Sequence, residues 1–85
     1  MGDLNFDINA IEDILGWIGN NKKIVIKILK MIMQLEKEPF TGIGKPEPLK
    51  HELSGCWSRR IDAENRLVYQ VTNSKIKILQ CRFHY

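Results

Sequence analysis

Residues 57–85 read WSRRIDAENRLVYQVTNSKIKILQCRFHY, and this stretch decides the fold. It is rich in the β-branched and aromatic residues that favour strands, and residues typical of turns interrupt it at 62–65 and 73–74. The pattern predicts three strands, Trp57–Ile61, Arg66–Thr72 and Lys75–Tyr85, connected as two hairpins. We therefore expect an antiparallel sheet at the C-terminal end of the chain.

Alternation along the strands predicts which side chains face the core. Leu67 and Tyr69 of the middle strand fall on one face, and Leu79, Cys81 and Phe83 of the last strand also share a face. Both sets are apolar, so we expect them to pack together under the helices.

The register of the last hairpin decides what the opposite face carries. A two-residue turn at 73–74 gives good apolar pairing but moves His84 to the core side, whereas a three-residue turn pairs Arg66 with Arg82. Because two apolar residues are adjacent at Ile78 and the position after it, we expect a bulge there or a three-residue turn. In either case Arg66, Arg82 and His84 are predicted to line one open face.

Upstream of the sheet, apolar residues recur at helical spacing. Asn9 and Glu12 resemble a capping box that begins a first helix, and Gly19-Asn20 ends it. A second helix is predicted from about Asn21 to Lys37. The first helix carries one apolar stripe, formed by Ile11, Ile14, Leu15 and Ile18. The second helix is predicted to face the core with a longer apolar set, formed by Ile24, Val25, Ile28, Leu29, Ile32 and Leu35. We predict an α+β fold in which two N-terminal helices pack on a twisted antiparallel sheet, with a short strand permitted at the start of the chain.

The size and composition of the chain limit what it can be. Its 85 residues suffice for one domain, expected over residues 1–85, and its net charge of +3 favours a polyanionic partner. No apolar run approaches the ~20 residues of a membrane span and the first residues lack a secretion signal, so we expect a cytoplasmic protein. Cys56 and Cys81 fit no metal-binding spacing and are expected to pack as small apolar residues. Since the acidic residues are scattered and only two histidines are present, no metal or other cofactor is expected.

Basic residues follow one line of the second helix. Steps of four and three place four lysines and one glutamine along this line: Lys23, Lys27, Lys30, Gln34 and Lys37. The line is either an ordinary solvated surface or a row of phosphate contacts.

One acidic residue lies between two prolines in the segment that joins the helices to the sheet. Residues 44–49 read GKPEPL, and each proline restricts the residue before it, so Lys45 and Glu47 are expected to be extended. Glu47 is then held on a stiff segment, which suits a catalytic acid or base because its position is fixed before substrate binds. The alternative is a rigid connector with a solvated carboxylate.

Four side chains together would supply the chemistry of metal-independent RNA cleavage. If they converge, Glu47 can act as the base on the 2′-hydroxyl, Arg66 and Lys50 can stabilise the phosphorane, and His84 can protonate the leaving 5′-oxygen. Tyr85 is a candidate for stacking on a base.

Several segments resemble one known family in detail. These are Pro39-Phe40, Gly42, Gly44 to His51, Leu53-Ser54-Gly55, Trp57 to Ile61, Arg66 to Tyr69 and Cys81 to Tyr85. They resemble the YoeB (Txe) toxins of the RelE/ParE superfamily, a likeness that implies the RelE-like microbial RNase fold. It also implies an mRNA interferase of a type II toxin–antitoxin system that cuts messenger RNA in the ribosomal A site and inhibits translation. A YefM-type antitoxin is the implied partner, and a homodimer is compatible with the resemblance.

The resemblance also assigns roles to individual residues. It implies Glu47 as general base, Arg66 as the phosphate-stabilising arginine and His84 as general acid. Supporting contacts to RNA are implied for four further residues, Lys50, Arg60, Arg82 and Tyr85. Contacts to the ribosome are expected for three lysines of the second helix, Lys23, Lys27 and Lys30.

The chain departs from the family at a few positions, and two other functions stay open. It lacks the expected tryptophan in the first strand, carries Cys56 at a usually aromatic position, and has Asn65 where a histidine is common. The alternatives are a ParE-like toxin that inhibits gyrase and a non-catalytic module that binds RNA or the ribosome.

Overall fold

The computed structural model describes residues 3–50 and 55–84, and it shows two helices packed on a five-stranded sheet. Helices α1 and α2 cover Ile8–Asn20 and Lys22–Lys37, and strands β1 to β5 cover Asp3–Phe6, Glu47–Pro48, Cys56–Arg60, Asn65–Thr72 and Lys75–His84. The strand order is β1-β5-β4-β3-β2, with β1 parallel to β5 and all other neighbours antiparallel. The predicted architecture is confirmed, although the sheet is mixed because the short first strand joins its edge. Over these residues no helix combines the length and hydrophobicity that crossing a membrane requires.

The main core lies between the helices and one face of the sheet. Its buried members include Ala10 of α1, Ile28, Met31 and Leu35 of α2, and Leu67, Tyr69 and Ile78 of the sheet. The opposite side, here called the open face, carries the residues that alternate with these, among them Ser58, Arg66 and Val68. A smaller apolar cluster of Leu49, Cys56 and Val68 lies there, with Leu79 and Phe83 packed against it. The sheet thus has a helix-covered face and a face on which polar groups can meet.

The helices pack partly through different residues from those predicted. On α1 the packing residues are Ala10, Ile14 and Trp17, whereas three members of the predicted apolar stripe are exposed: Ile11, Leu15 and Ile18. On α2, Ile28 is buried as predicted, but Leu29 is exposed and Met31 takes its place in the core. A stripe fixes which residues share a side of a helix, but the packing angle against the sheet decides which side is covered.

The start of α1 differs from the prediction by two residues. Asp7, not Asn9, is the N-cap, and its carboxylate accepts a hydrogen bond from the Asn9 backbone N–H at 3.3 Å. The Asn9 side chain donates to the same carboxylate, so it supports the cap instead of forming it. The predicted start of α2 is confirmed, because Asn21 is the N-cap and accepts from the Lys23 N–H at 3.1 Å.

The last hairpin combines a two-residue turn with a bulge. Asn73 and Ser74 have φ of +47° and +67°, as tight hairpin turns require, and Tyr69 pairs with Ile78. Further along, the register shifts twice, so that Arg66 pairs with Phe83. The predicted bulge is confirmed, and the alternative pairing of Arg66 with Arg82 is wrong.

The bulge also separates residues that were predicted to share a face. Leu79 and Phe83 pack on the open face, whereas Cys81 lies in the main core. At Cys81 the backbone bonds to α1: its N–H donates to Asp13 Oδ2 at 2.9 Å, and its carbonyl accepts from Trp17 Nε1 at 2.8 Å. Two side chains of α1 therefore replace the strand partners that this part of β5 lacks.

Candidate active site

Glu47 reaches the open face from a short segment with a proline on each side. It lies in β2 opposite Ser58 of β3, so the extended backbone predicted for it is confirmed. The same prediction for Lys45 is wrong, since its φ is +51°. This left-handed conformation still avoids the right-handed helical region that a following proline disfavours, and it turns the chain into β2.

Gly44 fixes the point from which this segment leaves the body of the protein. Its carbonyl accepts a hydrogen bond from the Arg60 backbone N–H at 2.7 Å, and its φ is +83°. A Cβ at this position would lie 2.7 Å from Cε of Met31 and 3.0 Å from Cβ of Arg59. Only glycine fits both the backbone conformation and the space.

The loop before Gly44 is held by the fully buried guanidinium of Arg59. Nη2 donates to the carbonyls of Glu38 at 2.6 Å and Thr41 at 2.9 Å, and Nη1 donates to the carbonyl of Ile43 at 3.3 Å. A charged group that donates to several backbone acceptors fixes their relative positions. The loop is therefore tied to β3.

Two side chains complete this buried network. Arg59 Nη1 donates to Oε1 of Gln34 on α2, and Nε donates to the hydroxyl of Tyr69 at 3.1 Å. That hydroxyl donates in turn to the carbonyl of Pro39 at 2.6 Å, and burial raises the pKa of Tyr69 while Arg59 acts to lower it. Reasoning from the sequence did not single out Arg59. The signal was its place between Trp57 and Ile61 in the alternation of β3, which puts it on the core face.

Glu47 and Arg66 form an ion pair on the open face. Nη1 of Arg66 donates to Oε1 of Glu47 and also to the Ser58 hydroxyl at 3.1 Å. The Arg66 side chain is only 12% exposed, whereas the Glu47 side chain is 44% exposed. The cation is therefore held within the sheet while its carboxylate partner stays accessible, and the structure brings together two of the predicted site residues.

Two further predicted cations, Arg60 and Lys50, are found on β3 and just after β2. Arg60 is the β3 partner of Arg66 and is exposed. Lys50 is also exposed and follows Leu49, whose N–H donates to the Cys56 carbonyl at 2.9 Å. The register thus places one exposed cation next to Arg66, and a second exposed cation follows Glu47 by three residues along the chain.

Arg82 lies apart from these residues. Its guanidinium is 5.4 Å from the ring centroid of Trp17, which belongs to α1. The prediction that Arg82 shares the open face with Arg66 is therefore wrong. The reason is the irregular pairing of β5, where Arg82 falls between the shifted pairs.

The C-terminal residues of the predicted site are described only in part. His84 is the last residue of β5, and its backbone pairs with Asn65, next to the pair formed by Arg66 and Phe83. The side chain of His84 and the whole of Tyr85 lie outside the described residues. Their proposed roles remain predictions.

The line of residues on α2 divides into two kinds. Lys23, Lys27 and Lys30 are exposed, but Lys27 Nζ donates to the Ile61 carbonyl. Gln34 does not continue a solvated surface, because its amide accepts from Arg59. Lys23 and Lys30 thus lie at the surface, as does Lys37, whereas Gln34 belongs to the buried network.

The turn between β3 and β4 is organised by one carboxylate. Asp62 Oδ1 accepts from the backbone N–H groups of Glu64 at 2.8 Å and Asn65 at 2.7 Å. Burial acts to raise the pKa of Asp62, but these bonds, the Asn65 side chain and Lys27 together lower it. The turn therefore favours the ionised carboxylate.

The two cysteines are buried and unbridged, as their prediction as packing residues requires. Burial, with a smaller contribution from the charge of Asp13, raises the pKa of Cys81 to about 12. Burial also raises the pKa of Cys56. Both thiols are held in the neutral form, which is a poor nucleophile.

Comparison with known proteins gives a consistent set of likenesses. The family model described as "YoeB-like toxin of bacterial type II toxin-antitoxin system" matches residues 6–85. Toxin RelK of Mycobacterium tuberculosis is 48% identical over 85 residues, which cover 100% of each chain.

Solved structures match over nearly the whole chain. A YoeB/ParE toxin from Agrobacterium tumefaciens is 42% identical with a TM-score of 0.91, covering 98% of this chain and 99% of the other. A heterotetrameric YoeB–YefM toxin–antitoxin complex from Staphylococcus aureus is 42% identical with a TM-score of 0.86, covering 100% and 99%. A YoeB dimer from the same organism is also 42% identical, with a TM-score of 0.88 and coverage of 99% and 98%.

Proposed function

This chain belongs to the family of YoeB-like toxins of bacterial type II toxin–antitoxin systems, and on that premise we propose that it is a ribosome-dependent mRNA interferase. The observation that carries the proposal is the Glu47–Arg66 pair, in which a mostly buried guanidinium holds an accessible carboxylate on the open face. This arrangement supplies a base and a phosphate-binding group side by side. A protein that acted by binding alone would have no need for the base.

The proposed reaction is attack of a 2′-hydroxyl on the adjacent phosphate, without a metal. An entering phosphate takes over the donors of Arg66, which releases the Glu47 carboxylate to accept the 2′-hydroxyl proton. The 2′-oxygen bonds to phosphorus, Arg66 stabilises the charge of the phosphorane, and the bond to the 5′-oxygen breaks as His84 protonates that oxygen. The products are a 2′,3′-cyclic phosphate and a 5′-hydroxyl.

Supporting contacts are proposed for the residues around the pair. Arg60 and Lys50 are exposed cations beside it and would bind phosphates on either side of the scissile bond. Tyr85 is proposed to stack on a base of the message, and Lys23, Lys27 and Lys30 of α2 to contact ribosomal RNA.

Partners are proposed from the relatives and from the charge. A YefM-type antitoxin is the proposed inhibitor, because a similar toxin occurs in complex with YefM. A homodimer is proposed on the same ground, since a similar toxin forms a dimer. The net charge of +3 favours association with the ribosome, where the messenger RNA would be cut in the A site and translation would stop.

Mapping of mRNA ends after incubation with programmed ribosomes tests the proposal. We expect cleavage in the A-site codon by the wild type, a loss of roughly 10²-fold to 10⁴-fold in Glu47→Gln, and normal cleavage in Glu64→Gln. Glu64 is an exposed residue of the turn after β3 and provides the same chemical change away from the site. Intact message together with inhibition of gyrase would favour a ParE-like toxin and overturn the proposal.

A further inference from the structure

A depression lies on the sheet away from the Glu47–Arg66 pair. It has a volume of about 280 Å³, and it is lined by Asn5, Gln70, Thr72, Lys75, Ile76 and Lys77. We propose that it is a phosphate-binding subsite that holds the backbone of the RNA several nucleotides from the scissile bond. The proposal rests on the proposed function, because it extends the same RNA-binding surface.

The register places this depression on the open face. Leu67 and Tyr69 of β4 are buried under the helices, so Arg66 and Gln70 point to the opposite side. Gln70 pairs with Lys77 of β5, and cross-strand partners share a face. Arg66 and Lys77 therefore belong to one surface.

Lys77 lies at the centre of the subsite. It is the partner of Gln70 on one side and of Asn5, on β1, on the other. Both neighbours are amides, whose N–H groups can donate to a phosphate oxygen beside the ammonium. Lys77 is exposed, and it forms no ion pair with any residue in the two described ranges.

Lys75 forms the outer part of the subsite. Its partner on β4 is Thr72, which adds a hydroxyl donor. Its partner on β1 is Asp3, the acidic residue nearest to it in the register, which weakens its attraction for an anion. We therefore expect Lys77 to contribute more than Lys75.

The chemistry of the lining favours RNA over a protein partner. Five of the six lining residues carry a polar or cationic group at the end of the side chain, with Ile76 as the sixth, whereas protein interfaces usually bury a centre of apolar side chains. Gln70 follows Arg66 by four residues on β4, which corresponds to about 13 Å along a strand. A single-stranded RNA whose phosphate is bound by Arg66 can span that distance within a few nucleotides.

Binding of single-stranded RNA at several salt concentrations tests the subsite. The probe is a 2′-O-methyl RNA of about 12 nucleotides, which cannot be cleaved by 2′-hydroxyl attack. Two neutralised phosphate contacts contribute about 1.4 to the slope of log affinity against log salt, so Lys75→Gln/Lys77→Gln should lower the slope by about that amount. We expect affinity about tenfold weaker near 0.1 M salt, with Lys77→Gln the stronger of the single changes.

A matched variant separates this subsite from general electrostatics. Lys22→Gln, compared with the single change Lys77→Gln, removes the same charge from an exposed position on α2, across the sheet, and should keep the wild-type slope and affinity. Equal losses in Lys22→Gln and Lys77→Gln, or unchanged binding in Lys75→Gln/Lys77→Gln, would overturn the subsite.

Cleavage of message on programmed ribosomes is measured in parallel, because it tests the proposed function independently of the subsite. If the wild type does not cut the message, the proposed function is wrong, while the RNA affinities still decide whether the subsite exists. If the wild type cuts and only Lys75→Gln/Lys77→Gln needs more substrate for half-maximal rate, with its maximal rate preserved, the subsite is supported.

Discussion

Arg59 on β3 and Arg66 on β4 carry the same guanidinium group to opposite faces of one sheet. Arg59 is fully buried and donates mainly to backbone carbonyls, which a ligand cannot displace because they are part of the folded chain. Arg66 donates to the carboxylate of Glu47 and the hydroxyl of Ser58, and its partner carboxylate is partly exposed. The fixed acceptors make Arg59 part of the scaffold, whereas the exchangeable acceptor of Arg66 suits the binding of a phosphate.

The same substitution at both positions gives the strongest test of this difference. Arg66→Gln removes the group proposed to stabilise the phosphorane, so cleavage on programmed ribosomes should fall by about 10³-fold. Unfolding by urea should change less than in Arg59→Gln, because the Glu47 carboxylate that loses its partner is 44% exposed and stays hydrated. A variant that kept full activity would show that Arg66 is not the stabilising group.

Arg59→Gln should have the opposite signature. It leaves the carbonyls of Glu38, Thr41 and Ile43 without their donors, so we expect a loss of about 3 kcal/mol in the free energy of unfolding. Equilibrium urea denaturation measures it. If this variant unfolded like the wild type, the buried network would not hold the loop.

Gly44→Ala tests whether the position of the loop that precedes β2 affects cleavage at the candidate site. The added Cβ meets Met31 and Arg59, and the backbone has φ of +83°, so we expect destabilisation by about 2 kcal/mol and reduced cleavage. Gly16→Ala on α1 is the control, because nothing lies within 4 Å of its Cβ position. That change should stabilise the helix by up to about 1 kcal/mol and leave cleavage unchanged.

Asp62→Asn gives the smallest effect, in the hairpin that joins the strands of the two arginines. Because the folded pKa of Asp62 is lowered, its ionised form stabilises the protein above the unfolded pKa of about 3.9, and that contribution disappears as pH falls through the folded value. The wild type should therefore have a higher urea midpoint than Asp62→Asn at pH 7, and it should lose that advantage progressively as the pH falls below the unfolded pKa of about 3.9. An advantage that grew at low pH would contradict the assignment.

Much of the fold could be predicted because its signals are local. The turn at Asn73-Ser74, the bulge after Ile78 and the N-cap at Asn21 depend on neighbouring residues. The rigid segment around Glu47 is also local, since prolines restrict it directly. These features follow from backbone chemistry that a sequence displays.

The remaining features depend on contacts between distant segments. Arg59 and Arg60 are adjacent and equally basic, so charge alone cannot show that one is buried under a loop some twenty residues upstream. Cys81 joins the core because Asp13 and Trp17 of α1 bind its backbone, and alternation along β5 does not contain that information. The side of α1 that packs is likewise set by the sheet, which explains the exposed stripe.

The bonds from α1 to Cys81 set a limit on where the proposed acid can be. His84 follows Cys81 by three residues, which at full extension correspond to about 11 Å of chain. In the proposed mechanism, so short a tether would give the acid a high effective concentration at the scissile phosphate, and the residue at which the tether begins is fixed by a helix to which no chemistry is assigned. Asp13 and Trp17 thus anchor the strand segment that leads to the proposed proton donor.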